Sequence, residues 1–166
     1  MDTNKLIEKA KSMGAEKATE FSIDDIVFDE RTLLKCLYGC TGNYHYCPRV
    51  DDSVTVKDYI EMTKKYKVGV LICTDNLKDG QKIALELERI AFLDGHHFAF
   101  AATECAICPT CSRIDDKPCR SPKSKRIPLY ALGIDVYNTV RNIGWTLNVV
   151  QDEDTTRKNI TAVFVE

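Results

Sequence analysis

Val68-Gly69-Val70-Leu71-Ile72-Cys73 is a continuous apolar run of strand length. Such a run is the pattern of a strand covered on both faces, since side chains alternate and a half-exposed strand would show polar residues at every second position. The next segment reads as a helix from Asp79-Gly80 to Asp94. Ile83, Leu87, Ile90 and Ala91 form its inner stripe, and Gly95 stands where a left-handed C-terminal cap belongs. His97 to Ala102 reads as the next buried strand. Two buried strands joined by a helix predict a parallel crossover under packed helices.

Toward the N-terminus, residues 3–13 carry Leu6, Ile7, Ala10 and Met13 on one face and stop at Gly14. Ala18 to Ile23 alternates weakly and predicts a strand. Ile26-Val27-Phe28 is apolar without a readable period, and Leu33-Leu34 leads into cysteine-bearing sequence. Leu37 to Asp52 reads as irregular, since Gly39, Gly42, Asn43 and Pro48 suit no element interior. Thr55 and Asp58 form a capping-box pair that opens a helix at about 56–66. Toward the C-terminus, a long loop from Thr103 to about Ile127 is followed by Pro128, suited to a first helical turn. That helix is interrupted at Gly133 and runs to Asn142, with Gly144 beyond it. Thr146 to Val150 and Ile160 to Val165 predict two strands joined through Asp152-Glu153-Asp154-Thr155. The expected class is α/β, with α+β the alternative: a mixed, partly parallel sheet of about four or five strands with helices packed on it. Residues 1–166 are expected to form one domain with cysteine loops at about 36–52 and 103–127.

The net charge of −2 gives no global pull toward nucleic acid or an anionic membrane. No apolar run approaches the roughly 20 residues needed to span a bilayer. Met1 to Lys9 lacks the long apolar core of a secretory leader, so a cytoplasmic setting is expected. In a reducing compartment the eight cysteines point to metal or redox chemistry, because disulfides do not persist there.

The cysteines fall into two groups. Cys105, Cys108 and Cys111 are each two residues apart, and Cys119 follows after a gap of seven. Four thiolates are what a [4Fe-4S] cubane needs, and two-residue gaps let a tight turn reach successive irons. The seven-residue gap and Arg120, where the ferredoxin run has proline, make Cys119 a loop excursion. Zinc is the competitor, although its structural sites favour two separate C-x2-C knuckles, and these pairs share Cys108. The earlier group is Cys36, Cys40 and Cys47, followed by Pro48. It could hold a second cluster, with Cys119, Cys73, a histidine or an exogenous molecule as the fourth ligand, or it could join the later group in one site. An iron with no protein ligand would be a Lewis-acid or substrate site.

Cys73 ends the apolar strand, where a free cysteine acts as a small hydrophobe. Strand ends are also where open α/β sheets place their sites. His96 and His97 suit a helix stop, and His45, near Cys47, is a candidate ligand or proton donor. Lys117, Arg120, Lys123, Lys125 and Arg126 crowd the sequence after Cys111. Cations there would stabilise a reduced cluster and steer an acidic redox partner, or they form a solvated loop. Few aromatics accompany them, so base stacking on nucleic acid is a poor fit.

Several of these residues together resemble a known family. They are Cys36-Leu37-Tyr38-Gly39-Cys40 with Cys47-Pro48, Leu87-Glu88, Ala91-Phe92 before Gly95, the Cys105, Cys108, Cys111, Cys119 set with Arg120 and Pro122, and Ala131-Leu132-Gly133-Ile134-Asp135-Val136. Over nearly the whole chain the pattern is similar to cysteine-rich predicted metal-binding proteins of unknown function, common in anaerobic bacteria and methanogenic archaea. Arg49 stands where that family often has a second proline, and Cys73 lies outside its pattern. The resemblance implies metal binding in an anaerobic setting and supplies no reaction.

The expected function is an iron–sulfur protein in electron transfer. Cys105, Cys108, Cys111 and Cys119 would hold one [4Fe-4S] cluster and Cys36, Cys40 and Cys47 a second. The alternatives are an enzyme with an open iron on the three-cysteine group, and a zinc-stabilised interaction module. The expected partner is a redox protein or a small-molecule substrate, with no nucleic acid and no membrane.

Overall fold

The computed structural model describes residues 2–39, 47, 53–149 and 157–166. In chain order the helices and strands are α1 (Thr3–Ser12), β1 (Lys17–Ser22), α2 (Thr32–Tyr38), α3 (Val56–Thr63), β2 (Val68–Thr74), α4 (Leu77–Leu93), β3 (Phe100–Ala102), α5 (Val136–Asn142) and β4 (Asn159–Phe164). Local chemistry explains most of the boundaries. Asp2 accepts the Asn4 N–H at the start of α1, and Gly14 follows its end with φ of +98°. Thr55 and Asp58 make both halves of a capping box, 3.2 Å from the Asp58 N–H to Thr55 Oγ1 and 2.9 Å from the Thr55 N–H to Asp58 Oδ2. Asn76 accepts the Asp79 N–H, so α4 begins at Leu77, before the Asp79-Gly80 start expected from sequence.

The four strands form one sheet in the order β1-β2-β4-β3, antiparallel at every pairing. This corrects the mixed, partly parallel sheet expected above. β2 and β3 do run the same way on either side of α4, but β4 inserts between them and is antiparallel to both. A continuous apolar run reports burial on two faces and carries no information about the direction of its neighbours. Nor do the described residues form the closing hairpin. Thr146 to Val149 contains no strand, Val150 and the Asp152–Thr155 loop lie outside the described residues, and β4 spends its hydrogen bonds on β2 and β3. Residues 129–132 form a 3₁₀ turn instead of the first part of a helix. Pro128 caps it, and Gly133, with φ of +79°, separates it from α5.

Both faces of the sheet are covered, as the run at Val68–Cys73 requires. Against one face, Leu6 and Ala10 of α1 and Ile83, Leu87 and Ala91 of α4 pack with Val70, Ile72, Ala101 and Val163. Against the other, Tyr59 of α3, Val136 and Val140 of α5 and residues 129–134 pack with Phe21, Leu71, Ala162 and Phe164. Each fully buried Leu, Ile or Phe contributes about 1.5–3 kcal/mol relative to exposure. Phe21 and Phe164 meet edge to face at 5.4 Å. Among the described residues no helix is long and apolar enough to cross a membrane.

α4 approaches β4 closely at Gly80. A Cβ there would collide with the buried Asn159 amide and come within 3.0 Å of Thr74 Oγ1. Helix propensity alone would favour alanine by about 1 kcal/mol. We expect Gly80→Ala to destabilise the fold by about 1–3 kcal/mol, as overpacking does. A denaturant midpoint equal to or above that of the wild type would contradict the close contact.

Candidate metal centre

The loop from Thr103 to Ile127 is closed at its base, where the Thr103 N–H donates to the Ile127 carbonyl at 2.9 Å. Between these residues there is no strand or α-helix, only 3₁₀ turns at Ser112–Asp115 and Pro122–Ser124. Its backbone polar groups therefore need partners from elsewhere. Gln81, wholly buried on α4, supplies several. Its Oε1 accepts the N–H groups of Ala106 at 2.5 Å and Ile107 at 2.7 Å, and its Nε2 donates to the Ser124 carbonyl at 2.7 Å. The same Nε2 lies 4.0 Å from the Cys105 sulfur. One side chain thus joins both limbs of the loop. An amide buried without such partners would cost about 1–3 kcal/mol for each unsatisfied group.

Glu88 is two helical turns further along α4 on the same face. Its carboxylate accepts the Ala101 N–H at 2.6 Å, the Arg126 Nε–H at 2.9 Å and a second Arg126 N–H. Arg126 also donates to the carbonyls of Lys123 and Lys125, at 3.0 and 2.8 Å. Both side chains are largely buried, 14% exposed for Arg126 and 18% for Glu88. Arg126 is therefore part of the scaffold. Of the cations that crowd this stretch, Lys117, Arg120 and Lys123 are the exposed ones, with Lys117 3.6 Å from Asp115.

The seven-residue excursion before Cys119 is itself folded. Cys111 precedes a 3₁₀ turn, Asp116 takes a left-handed conformation with φ of +54°, and Ser112 Oγ donates to the Pro118 carbonyl at 2.7 Å. Cys119, like Cys108, lies within electrostatic reach of the Cys105 thiol. Burial pushes that thiol up. The Arg126 backbone N–H and the Gln81 amide favour its thiolate, and the two neighbouring sulfurs oppose it. Cys108 Sγ lies 3.8 Å from Ser121 Oγ. Cys73, Cys105, Cys108, Cys111 and Cys119 are free thiols. No group of three or more His, Cys, Asp or Glu side chains among the described residues is set at ligating distances. In kind, the loop fits a thiophilic metal: four thiols stand on one tethered segment, and the opposition of Cys108 and Cys119 to ionisation of Cys105 is one that a bound cation would relieve.

The earlier group is seen in part. Cys36 lies on α2, a helix that sequence reading did not identify, and packs half-buried beside Tyr130 against the core. Cys47 is half-buried, while Cys40 and His45 lie outside the described residues. The Tyr130 phenol is pushed up to about 12, first by burial and then by Tyr137, Asp135 and Cys36, with Arg157 acting the other way. Arg157 is also 3.5 Å from Glu104, the residue before Cys105. Arg157 thus links the surroundings of Cys36 to those of Cys105.

Cys73 goes elsewhere. It is 5% exposed, pairs in register with Ile160, and lines a cleft of about 260 Å³ with Glu16, Lys17, Trp145 and Lys158 but no other cysteine. Burial raises its thiol, as for a small hydrophobe at a strand end. His96 follows the helix stop, its N–H bonded to the Ala91 carbonyl and its ring 3.2 Å from Glu166. Gln81, Glu88 and Arg157 were not identified as site residues from sequence. No short-range signal marks Gln81, which stands about 160° around α4 from Ile83 of the apolar stripe.

We expect Glu88→Gln to destabilise the protein by about 3 kcal/mol, because it leaves a mostly buried guanidinium without its counter-charge. A loss below about 1 kcal/mol in chemical denaturation would mean that the pair behaves as a surface one. Burial raises the Glu104 carboxyl above its ordinary range, and Arg157 only partly offsets this. The folded state then holds that proton more tightly than the unfolded state does, so the group costs stability as pH rises through its folded titration. Glu104→Gln should leave the midpoint unchanged at acid pH and raise it at neutral pH. A lowered midpoint at neutral pH would refute this sign.

A family model described as predicted metal-binding protein (DUF2284) matches residues 19–165. No curated protein and no solved structure matches the chain. With both cysteine groups, α4 and the loop it grips all inside the matched span, the chain belongs to this family of predicted metal-binding proteins.

Proposed function

We propose that the protein is an iron–sulfur protein that carries electrons in anaerobic, cytoplasmic metabolism. The observation that supports this most is the fold of the long loop. It combines the C-x2-C-x2-C spacing with a compact turn that brings Cys119 within electrostatic reach of Cys105. Cys105, Cys108, Cys111 and Cys119 would hold one [4Fe-4S] cluster, and Cys36, Cys40 and Cys47 a second. Bound there, a cluster supplies one-electron redox chemistry at low potential. The chain's own residues do the rest. Gln81 and the Arg126 backbone N–H direct hydrogen-bond donors at the Cys105 sulfur, which favours the more negative state. Lys117, Arg120 and Lys123 add positive charge on the exposed side of the loop, suited to an acidic redox partner.

A second reading draws on Arg157 and Tyr130. Arg157 pairs with Glu104, the residue before Cys105, Tyr130 lies within electrostatic reach of both Arg157 and Cys36, and the earlier group brings three thiols where a cubane takes four ligands. An iron left open there would bind a substrate atom directly, with Arg157 holding an anionic group of that substrate.

Protein purified without oxygen should contain iron and acid-labile sulfide in equal amounts, as a cubane requires. Cys119→Ser should lose the iron of one cluster and Cys36→Ser that of the other. Zinc without sulfide would overturn both readings in favour of a zinc-stabilised module. An unchanged iron content in Cys119→Ser would overturn the first ligand assignment.

A further inference from the structure

Gln81 is a primary amide on α4 with no solvent exposure. All four of its hydrogen-bond contacts go to the cysteine loop: two accepted N–H groups, one carbonyl and one sulfur. Its neighbours along α4, Ile83, Ala84 and Leu87, belong to the apolar core. Burying a primary amide is costly unless its hydrogen bonds are made, and here the loop makes them.

We infer that Gln81 is the positioning residue of the cysteine loop, fixing Cys105 before any metal arrives and supplying a side-chain donor to its sulfur. Ala106 and Ile107 occupy the gap between Cys105 and Cys108. Backbone N–H groups in such a gap are placed to donate to the thiolates of a bound metal, and hydrogen bonds of that kind set its electronic properties. Here both N–H groups are turned inward to Gln81 Oε1. The donors left to the Cys105 sulfur among the described residues are Gln81 Nε2 and the Arg126 backbone N–H. Arg126 is itself held by Glu88, two turns along the same helix. One face of α4 therefore sets both the path of the loop and the polarity around its first thiol. This deepens the reading of the loop as a metal site and rests on it for the metal-dependent arm below.

The test uses the full chain without oxygen, with Co(II) as the probe because its thiolate charge-transfer and d–d bands report ligand type and geometry. In the metal-free wild type, the Ala106 and Ile107 amides should exchange with deuterium about tenfold or more slowly than that of Thr110. Gln81→Leu should remove this protection and weaken Co(II) binding by about 10–100-fold, as loss of an outer-shell partner does. Gln81→Glu keeps the acceptor and loses the donor. It should retain the amide protection yet shift the charge-transfer band, which a purely structural role would not do. Wild-type amides at 106 and 107 exchanging as fast as Thr110 would overturn the inference, and that measurement needs no variant to fold. A Gln81→Leu protein with wild-type protection and wild-type Co(II) affinity would overturn it too. If the wild type binds neither Co(II) nor iron, the proposed function falls, while the exchange measurements still decide the role of Gln81.

Discussion

A loop of this length with no strand or α-helix has to satisfy its backbone polar groups against something rigid. In this protein that partner is one face of α4. Gln81 ties residues 106, 107 and 124 to the helix, and Glu88 ties Arg126 and the middle of β3. The helix is in turn locked to the sheet by the close approach at Gly80 and by Ile83, Leu87 and Ala91. The position of the first cysteine thus depends on the packing of α4 against β4. A thiol held by a helix seated in the core is placed more exactly than one held by its own loop, which is what a metal site requires of its support.

The remaining cysteines follow from the same frame. Cys119 returns because Ser112 and Pro118 close the excursion, and the left-handed residue at Asp116 lets the chain reverse. Cys36 reaches the site side through α2, which packs on the 3₁₀ turn carrying Tyr130. Arg157, just before β4, lies beside Glu104 and within electrostatic reach of Tyr130. Residues far apart in sequence therefore meet because β4 threads between β2 and β3 and brings its N-terminal end to the cysteine loop.

Much of the local structure was legible. The Thr55–Asp58 pair, the stripe of α4 and the glycines at 95 and 144 declare helix ends through short-range hydrogen bonds and backbone sterics. The cysteine spacing declared a thiol-rich metal loop and, with the wider pattern, the family. Other features were hidden for identifiable reasons. α2 escaped notice because Leu33-Leu34 reads only as a lead into the cysteines and the irregular reading from Leu37 cuts off its last residues, although Thr32 to Tyr38 can form two helical turns. Gln81 was invisible as a site residue because a glutamine in a helix is ordinary until its partners, 24 and more residues away, are seen.

Sequence by itself determined the elements whose signals are local: helix caps, the doubly buried strand at β2, and the thiol spacing that suits a soft metal. Those depend on side chains within a few residues of one another. Only the tertiary structure decided that the sheet is antiparallel, that Arg126 serves the scaffold, that Cys73 stands apart from the other thiols, and that α4 carries the loop. Each of these turns on which distant segment fills a given edge or buried polar site. Strand insertion and long-range hydrogen bonding settle that choice, and neither leaves a periodic trace in the chain.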